Sequence, residues 1–581
     1  MSGSAQIIKL NYKTYYSVEL NLKQIFILLS CCFALSLWTA CEDETPDPQP
    51  SSPYSEEDQL LEKQLQSYLS QSYSCEISSV EVTDQSVIVK GKIPSGYGTV
   101  YLGEVPLYED LVTMQHFDSS LPVTEDDFTL VVERYADIDG TKYDRLLSKW
   151  VLFTRQESKD EIVSAAHYPD VIHAVQDLEV LKLRNKKGIG GLIYNQFISD
   201  VDVLDISSAT VNVILDSFFH LNQMGSDTPY EYGGRTYYVN EKYLQATLDK
   251  VLRVTAKRKI PVAAIILLQR AENCSDPDFG ALMQHPDNTG GAYTMPNMTT
   301  LESVNAYAAA INYLASRYCR KNDRYGRISH WIMQNEVDAS IQWANMGNKP
   351  VTVFTDTYVK SLRLCYNIVR QYDAHSEVFA SFTHSWTAPC QAGWNSSLEI
   401  ITLLNRYSKV EGDFQWALAY HSYPYDLYNP RSWEDPLATV SMNTQFVTFR
   451  NLEVLNRWAL TGENMYKGKI KRSIWLSEAG INSRSYSEES LKEQAAGLAY
   501  AWKKLNGLEG IDGLQWHNWF DNEGDGPGVM LGLRKYPDKN DGEPKPVWDL
   551  YRQAATETED EAFAPSLEYI GIKDWNIIEP F

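Results

Sequence analysis

Two glutamates stand at the ends of apolar, strand-like runs of the sequence. Glu336 follows the run in RISHWIMQNEVD, directly after Asn335, and Glu478 ends the run in RSIWLSEAG. In a barrel of eight parallel strands, side chains at the carboxyl ends of the strands converge on one face. Two carboxylates delivered to that face can act on one glycosidic bond from opposite sides. Our first hypothesis is therefore that Glu336 and Glu478 belong to one catalytic centre.

The chemistry of such a pair sets a geometric expectation. One carboxylate must be ionised to attack the anomeric carbon, and the other must be protonated to assist the departing group. The carboxyl groups lie about 5–5.5 Å apart if configuration is retained and about 6.5–9.5 Å apart if it is inverted. Asn-Glu also occurs at Asn240-Glu241, where a helix starts, and in a loop at Asn522-Glu523. Only strand context distinguishes Glu336 from these, and ordinary carboxylates at the barrel rim are the alternative.

Three histidines stand at further strand ends. His384 ends the run EVFASFTH, His421 lies in AYHSYPY together with Tyr423, and His517 lies in LQWHNWF. Three imidazoles at one face suggest a metal-dependent hydrolase, but the first strand-like run lacks the paired histidines that would complete such a site. We expect no metal and no cofactor, and we predict that these four side chains bind substrate. A purely structural role is the alternative for His421.

Tryptophans are frequent near the same strand ends. Trp386 and Trp516 lie at the ends of two runs, and three others lie in the following loops or strand ends, at Trp343, Trp394 and Trp519. Large aromatic rings offer stacking surfaces for sugars. We include Trp386 and Trp516 among the candidate substrate-binding residues, and packing in the core is the alternative for each ring.

The elements that must position these residues follow an alternating pattern. From about residue 180, apolar runs alternate with amphipathic, helix-like stretches. Eight strand–helix units close a (β/α)8, or TIM, barrel, which we predict over residues 180–560 with Glu336 on the fourth strand and Glu478 on the seventh. The first run is ambiguous between strand and loop. The eight runs are KGIGGLIYN, ATVNVILD, PVAAIILLQ, HWIMQNE, EVFASFTH, WALAYHSYP, SIWLSEAG and GLQWHNWFD.

A different pattern precedes the barrel. Residues 73–165 alternate apolar and polar positions, as in SVEVTDQSVIVKGKI and FTLVVERY, with the turn signals SGYG and DIDGT between runs. This pattern predicts a small all-β, sandwich-like domain. Carbohydrate binding and a spacer that packs on the barrel remain open as its role.

The pattern of the amino-terminal 72 residues predicts a cleaved signal peptide followed by a tether. Lysines precede the apolar run IFILLSCCFALSLW, and the small residues Thr39 and Ala40 precede Cys41. This order resembles a bacterial lipoprotein signal over residues 1–40, which implies lipidation of Cys41 and anchoring to the outer membrane, on the cell surface or its periplasmic face. Residues 41–72 are acidic and rich in Pro and Ser, which predicts a tether ending in a short linker helix. A transmembrane anchor is the alternative.

The net charge and the cysteine content limit the kinds of partner and site that the sequence is compatible with. The 581 residues carry 52 Lys and Arg against 76 Asp and Glu, a net charge of −24. This balance argues against nucleic acid as a partner and suits a neutral ligand such as a carbohydrate. Beyond Cys41, the five remaining cysteines are an odd number without short paired spacing, so the sequence predicts neither a disulfide framework nor a zinc site.

The motifs around the two glutamates resemble a known superfamily. Glutamates ending strands four and seven, the first preceded by asparagine, are similar to clan A glycoside hydrolases. The stretches YGRISHWIMQNEVDASIQWANMG, EGDFQWALAYHSYPYDLYNPRSW and IWLSEAGINS further resemble a bacterial family of unknown function within that superfamily. The resemblance implies that Glu336 is the general acid/base and Glu478 the nucleophile.

The same resemblance implies roles for the neighbours of the pair. Asn335 would bind the 2-hydroxyl of the sugar, Trp516 would form the floor of the central subsite, and His421 or Tyr423 would orient the nucleophile. Many relatives place an arginine at the end of strand two, but VNVILD has none, which leaves the electrostatic support of Glu478 open. We expect a lipid-anchored retaining glycoside hydrolase acting on an extracytoplasmic polysaccharide or oligosaccharide. A surface glycan-binding protein on an inactive barrel is the alternative.

Overall fold

The computed structural model describes residues 52–578. The predicted signal peptide (1–40), the predicted lipidation site Cys41 and the first part of the predicted tether lie outside the described residues. The described part begins with a helix over Glu56–Ser70, which starts where the Ser55 hydroxyl accepts a hydrogen bond from the Asp58 N–H at 3.1 Å. Within residues 52–578, no helix is both long and apolar enough to cross a bilayer.

Two four-stranded sheets form the domain that follows this helix. Apolar residues alternate along its strands, so that Val87 and Val89 are buried while their neighbours are more exposed. A hairpin of Tyr135–Ile138 and Thr141–Asp144 extends from it. One sheet contains Glu76–Val82, Ser86–Lys92, Asp127–Glu133 and Val171–Ile172; the other contains Val100–Val105, Ser120–Val123, Lys149–Thr154 and Glu161–Ile162.

Eight parallel strands then close into a barrel. The first strand pairs with the eighth, so the run KGIGGLIYN does contain a strand. All eight predicted runs form barrel strands in the predicted order, which confirms a TIM barrel preceded by a small β domain. The strands are Lys187–Ile189, Ser208–Ile214, Val262–Leu267, His330–Met333, Glu377–Phe382, Trp416–Tyr420, Ile474–Ala479 and Gly513–Trp516.

Helices and a small sheet surround the barrel. After the second strand, the three short strands Phe219–His220, Thr228–Tyr232 and Arg235–Val239 form a separate sheet. The α-helices are Asp200–Val203, Glu241–Ala246, Leu248–Lys257, Pro277–Met283, Leu301–Tyr318, Ser340–Trp343, Val351–Arg370, Ser397–Val410, Glu453–Leu460, Glu488–Asn506, Pro546–Gln553, Glu559–Phe563 and Ser566–Ile570. Short 3-10 helices lie at Arg145–Leu147, Leu215–Ser217, Ala271–Asn273, Ser432–Glu434, Gly462–Asn464, Glu523–Asp525 and Trp575–Ile577.

The barrel interior is filled by side chains. Small residues on the third and sixth strands leave room for the rings of Phe379 and Trp475, which lie 5.5 Å apart. A closed, packed interior leaves the carboxyl ends of the strands as the face where polar side chains can gather. The residues of this interior cluster are Ala263, Ile265, Leu267, Ile332, Phe379, Ala417, Ala419 and Trp475.

The β domain is joined to the barrel through buried polar contacts. Lys149 of the β domain lies 2.6 Å from Glu411 of the barrel, and both side chains are buried. Tyr68 of the first helix donates a hydrogen bond to the same carboxylate at 3.1 Å. Helix, β domain and barrel therefore meet at one buried carboxylate.

Candidate active site

The chain changes direction immediately after the fourth barrel strand, and this turn places Glu336. The strand ends at Met333, and Gln334 and Glu336 adopt positive φ angles of 57° and 40°. Such angles are uncommon for residues other than glycine. The Glu336 N–H donates a hydrogen bond to the Ser381 hydroxyl on the fifth strand at 3.1 Å. The backbone of Glu336 is thereby held against the neighbouring strand.

Glu478 lies within the seventh strand, one residue before its end. The register with the eighth strand is irregular between Leu476 and Ala479, and irregularities of this kind redirect side chains near functional sites. The chain then approaches the eighth strand so closely that a Cβ on Gly480 would lie 1.9 Å from the His517 carbonyl oxygen. Only glycine fits at position 480, two residues after Glu478.

The structure brings the two predicted glutamates together. One carboxylate oxygen of Glu336, one of Glu478 and a ring nitrogen of His421 all lie within 4.8 Å of one another. Among residues 52–578, this is the only group of three or more His, Cys, Asp or Glu residues with ligand atoms so close. Of the three histidines on which the metal-dependent alternative rests, only His421 belongs to this group.

His421 lies between the two carboxylates. Its Nδ1 is 2.8 Å from Oε1 of Glu336, and its side chain is only 1% exposed. Burial lowers the pKa of His421, but the negative charges of Glu478 and Glu336 outweigh burial and raise this pKa above its usual value. A protonated His421 reduces the repulsion between the two glutamates.

Tyr423 contacts the other carboxylate. Its hydroxyl donates a hydrogen bond to Oε1 of Glu478 at 3.0 Å. The sequence left open which of His421 and Tyr423 orients Glu478. In the structure the direct hydrogen bond comes from Tyr423, whereas His421 bonds to Glu336.

Two histidines provide the positive charge near Glu478. Burial opposes ionisation, yet the pKa of Glu478 lies below its usual value because His517, His421 and the Tyr423 hydroxyl stabilise the carboxylate. The pKa of His517 is raised against the effect of burial by Glu478 and by Asp525, whose Oδ1 lies 3.8 Å from Nε2 of His517. The second strand ends without an arginine, and these two histidines provide the positive charge near Glu478 instead.

His384 lies beside this cluster without contacting either glutamate. Its Nε2 is 3.2 Å from the Cys390 sulfur, and its ring lies 6.4 Å from that of Tyr425, which is exposed. Burial and the charge of His421 lower the pKa of His384 to about 4, so this ring is neutral at pH 7. Asn335 is half-buried, and its side chain makes no hydrogen bond within residues 52–578.

The predicted tryptophans lie deeper than expected. Trp386 and Trp516 are fully buried, and their indole N–H groups donate to the carbonyls of Met442 at 3.0 Å and Leu531 at 2.9 Å. The loops that contain these carbonyls close over the rings, so neither ring offers a stacking face in this structure. Trp519 is buried as well.

The other two tryptophans are more accessible. Trp394 is half-buried, and Trp343 is half-buried with its ring stacked at 5.8 Å on that of Tyr293. Trp343 and Trp394 are therefore the better candidates for contact with a ligand.

Several site residues were not predicted from the sequence. Ser381 holds the backbone of Glu336, and Asp525 faces His517 from a loop. Asp338, two residues after Glu336, is fully buried, and burial raises its pKa to about 7 although Thr383 donates hydrogen bonds to it. Asp338 could have been found from its position two residues after Glu336 in the run QNEVD, whereas no sequence pattern indicates the contacts of Ser381 and Asp525.

The chain and its fold are similar to known protein families and structures. A family described as "Family of unknown function (DUF5722)" matches residues 180–578. No curated protein matches the chain. Solved structures with a related backbone include a family 39 glycoside hydrolase from the gut symbiont Bacteroides cellulosilyticus WH2, at 13% identity and a TM-score of 0.42, with 84% of this chain and 83% of that chain covered.

Two further solved structures are similar at the same level. A β-D-glucuronidase of Dictyoglomus thermophilum has 12% identity and a TM-score of 0.33, with 82% of this chain and 68% of that chain covered. An exo-β-1,4-mannosidase from Opitutaceae bacterium strain TAV5 has 12% identity and a TM-score of 0.39, with 66% and 63% covered. At these values the activities of those enzymes do not carry over to this chain.

Proposed function

The chain belongs to the family of unknown function DUF5722, and we propose that it is a retaining glycoside hydrolase acting on a polysaccharide or oligosaccharide. The observation that carries the proposal is the cluster of Glu336, His421 and Glu478, whose oxygen and nitrogen atoms lie within 4.8 Å at the carboxyl ends of the barrel strands. One oxygen of Glu336 and one of Glu478 within 4.8 Å of each other fit the carboxyl separation of about 5–5.5 Å that retention uses better than the 6.5–9.5 Å of inversion.

The surroundings of Glu478 favour the role of nucleophile, and Glu336 then takes the role of acid/base. Glu478, with a lowered pKa and a hydrogen bond from Tyr423, is ionised and attacks the anomeric carbon to form a glycosyl-enzyme. Glu336 gives its proton to the departing oxygen and then takes a proton from the water that releases the sugar. His421, which bonds to Glu336 at 2.8 Å, keeps that side chain in one orientation through both steps.

Neutral polar groups near the pair suit a sugar substrate. Asn335 has an amide without a protein partner among residues 52–578, and it precedes Glu336 directly, so we assign it to the 2-hydroxyl. His384 and the exposed Tyr425 ring, 6.4 Å apart, provide a polar group and an aromatic surface. We further propose that the enzyme is anchored through a lipid on Cys41 and acts outside the cytoplasm.

A glycan-binding protein on an inactive barrel is the second candidate, and the two functions make different predictions. We propose to incubate the purified protein and its Glu478→Gln variant with a panel of plant, algal and host glycans and to measure both binding and released sugars. The enzyme hypothesis predicts that the wild type degrades at least one glycan and that Glu478→Gln binds it without degrading it. A wild type that binds a glycan and leaves it intact would support the alternative.

A further inference from the structure

A serine, a histidine and an aspartate form a hydrogen-bonded series in the loops after the second and third barrel strands. Oδ2 of Asp227 lies 2.7 Å from Nδ1 of His220, and Nε2 of His220 lies 3.0 Å from the hydroxyl oxygen of Ser275. This series shares no residue with the Glu336–Glu478 centre. Its order, carboxylate to Nδ1 and hydroxyl to Nε2, is the order that activates a serine for acyl transfer.

The three residues differ in their exposure to solvent, and this difference suits three different roles. His220 is 2% exposed and Asp227 is 6% exposed, whereas Ser275 is an exposed residue. A carboxylate at Nδ1 keeps the neutral imidazole protonated at that nitrogen and leaves Nε2 as an acceptor. The buried pair therefore presents a base to a hydroxyl that a substrate can reach.

The backbone around Ser275 fits the same chemistry. The Ser275 hydroxyl also lies 2.7 Å from the carbonyl oxygen of Asp216, so its proton has two acceptors and reaches Nε2 by rotation about the Cβ–Oγ bond. Within residues 52–578, the N–H groups of Ser275 and Asp276 donate to no other protein group. The N–H of the residue after a nucleophilic serine is a common donor to the oxyanion of acyl transfer.

We propose that Ser275 is the nucleophile of a second catalytic centre, which hydrolyses carboxylic esters. The Ser275 oxygen forms a bond to the acyl carbon while its proton passes to Nε2 of His220, and the ester C–O bond breaks as that proton passes to the leaving alcohol. Water then adds to the acyl-serine with the same base, which releases the acid and restores Ser275. Asp227 is a positioning residue, because it acts through His220.

The proposal does not depend on glycoside hydrolysis, but the two centres share one face of the barrel. Loops that follow barrel strands lie at the carboxyl ends of the strands, where Glu336 and Glu478 also lie. An O-acyl group on a glycan is the class of ester that suits two centres on one face, and this one point rests on the proposed function. The Glu478→Gln variant separates the two activities, since it should keep full ester hydrolysis.

A fluorophosphonate probe tests the nucleophile directly. We expect the probe to label Ser275 in the purified wild-type protein, as located by peptide mass spectrometry, and to label neither Ser275→Ala nor His220→Gln. Ser226→Ala is the matched control, because Ser226 is exposed in the segment next to Asp227, and it should be labelled like the wild type. Circular dichroism and melting temperature establish that each variant is folded.

Hydrolysis of p-nitrophenyl acetate provides the second measurement. Ser275→Ala should reduce the rate to that of the solvent reaction, and Asp227→Asn should lower kcat by about 10⁴-fold with KM little changed, as expected for loss of the correct tautomer. The proposal is overturned if the folded wild type takes up no probe at Ser275, or if Ser275→Ala and Ser226→Ala hydrolyse the ester equally fast.

Discussion

At the residue scale, the ionisation of Glu478 depends on charges that themselves titrate. His517 is the strongest of the groups that lower the pKa of Glu478, and His421 is the next. An arginine in their place would keep its charge at every physiological pH. Two histidines instead make the state of the nucleophile sensitive to their own protonation.

Replacing His517 with glutamine should change the pH profile of kcat/KM. Loss of this charge raises the pKa of Glu478, so the protonated, inactive form of the nucleophile persists to higher pH and the acid limb of the profile moves upward. His384→Gln is the control, since His384 has a pKa of about 4 and is neutral at pH 7. An acid limb that moves equally in both variants would contradict the role of His517.

Replacing Glu336 with alanine should separate the two steps of the reaction. Substrates with poor leaving groups need protonation and should lose most of their turnover, whereas aryl glycosides with good leaving groups should still form the glycosyl-enzyme. Azide needs no general base, so it should rescue this variant and give a glycosyl azide of retained configuration. Product analysis by NMR checks this outcome, and an inverted azide would assign the roles the other way round.

The residues that end strands could be predicted, whereas their partners could not. Glu336 and Glu478 follow apolar runs, and this local pattern is visible in one sequence. The pairing of His421 with Glu336 and of Tyr423 with Glu478 depends on angles between strands distant in sequence. Asp525 faces His517 from a glycine-rich loop, and no local pattern fixes the course of that loop.

At the element scale, the end of the fourth strand depends on the fifth. The positive φ angles of Gln334 and Glu336 are unfavourable for these residue types and persist only where neighbouring groups hold them. Gln334 donates to the Tyr307 hydroxyl at 3.0 Å, and Glu336 donates through its N–H to Ser381 at 3.1 Å. The two contacts fix the segment on both sides.

Ser381→Ala should therefore lower both stability and turnover. The partly buried N–H of Glu336 loses its acceptor, which costs about 1 kcal/mol of unfolding free energy, and the misplaced carboxyl group should lower kcat more than it changes KM. Ser432→Ala is a matched control, because Ser432 is 1% exposed and its hydroxyl has no partner within residues 52–578. Thermal unfolding and kinetics of both variants, if indistinguishable, would refute this account of the turn.

The barrel elements were predictable because each strand is a short apolar run between helix-like stretches. Helix boundaries and the burial of individual rings depend on contacts between elements that are distant in sequence. The helix-like stretch EKYLQATLDKVLRVTAKR forms two helices, Glu241–Ala246 and Leu248–Lys257, on either side of Thr247. The burial of Trp386 and Trp516 results from loops that close over them, and loop paths are not contained in hydrophobic periodicity.

At the scale of the whole molecule, the β domain and the barrel share a buried ion pair. Lys149→Met should leave Glu411 charged and without its cation, since the side chains are only 6% and 2% exposed. Breaking a buried pair in this way costs about 3–5 kcal/mol, and we expect a large fall in the melting temperature of the whole protein.

The double variant Lys149→Met with Glu411→Gln is the control for this prediction. A neutral glutamine can still accept the hydrogen bond from Tyr68, which lies 3.1 Å from the carboxylate, and it leaves no unpaired charge. Most of the lost stability should return. A single variant as stable as the wild type would show that the contact between the domains does not depend on this pair.

The stereochemistry of the first product tests the central claim most directly. The glycan panel identifies a substrate, and ¹H NMR during the first minutes of its hydrolysis by the wild type then records the anomer that is released before mutarotation. Attack by Glu478 with Glu336 as acid/base predicts the same anomeric configuration as in the substrate, and no release by Glu478→Gln. Release of the opposite anomer, or undiminished release by Glu478→Gln, would contradict the account.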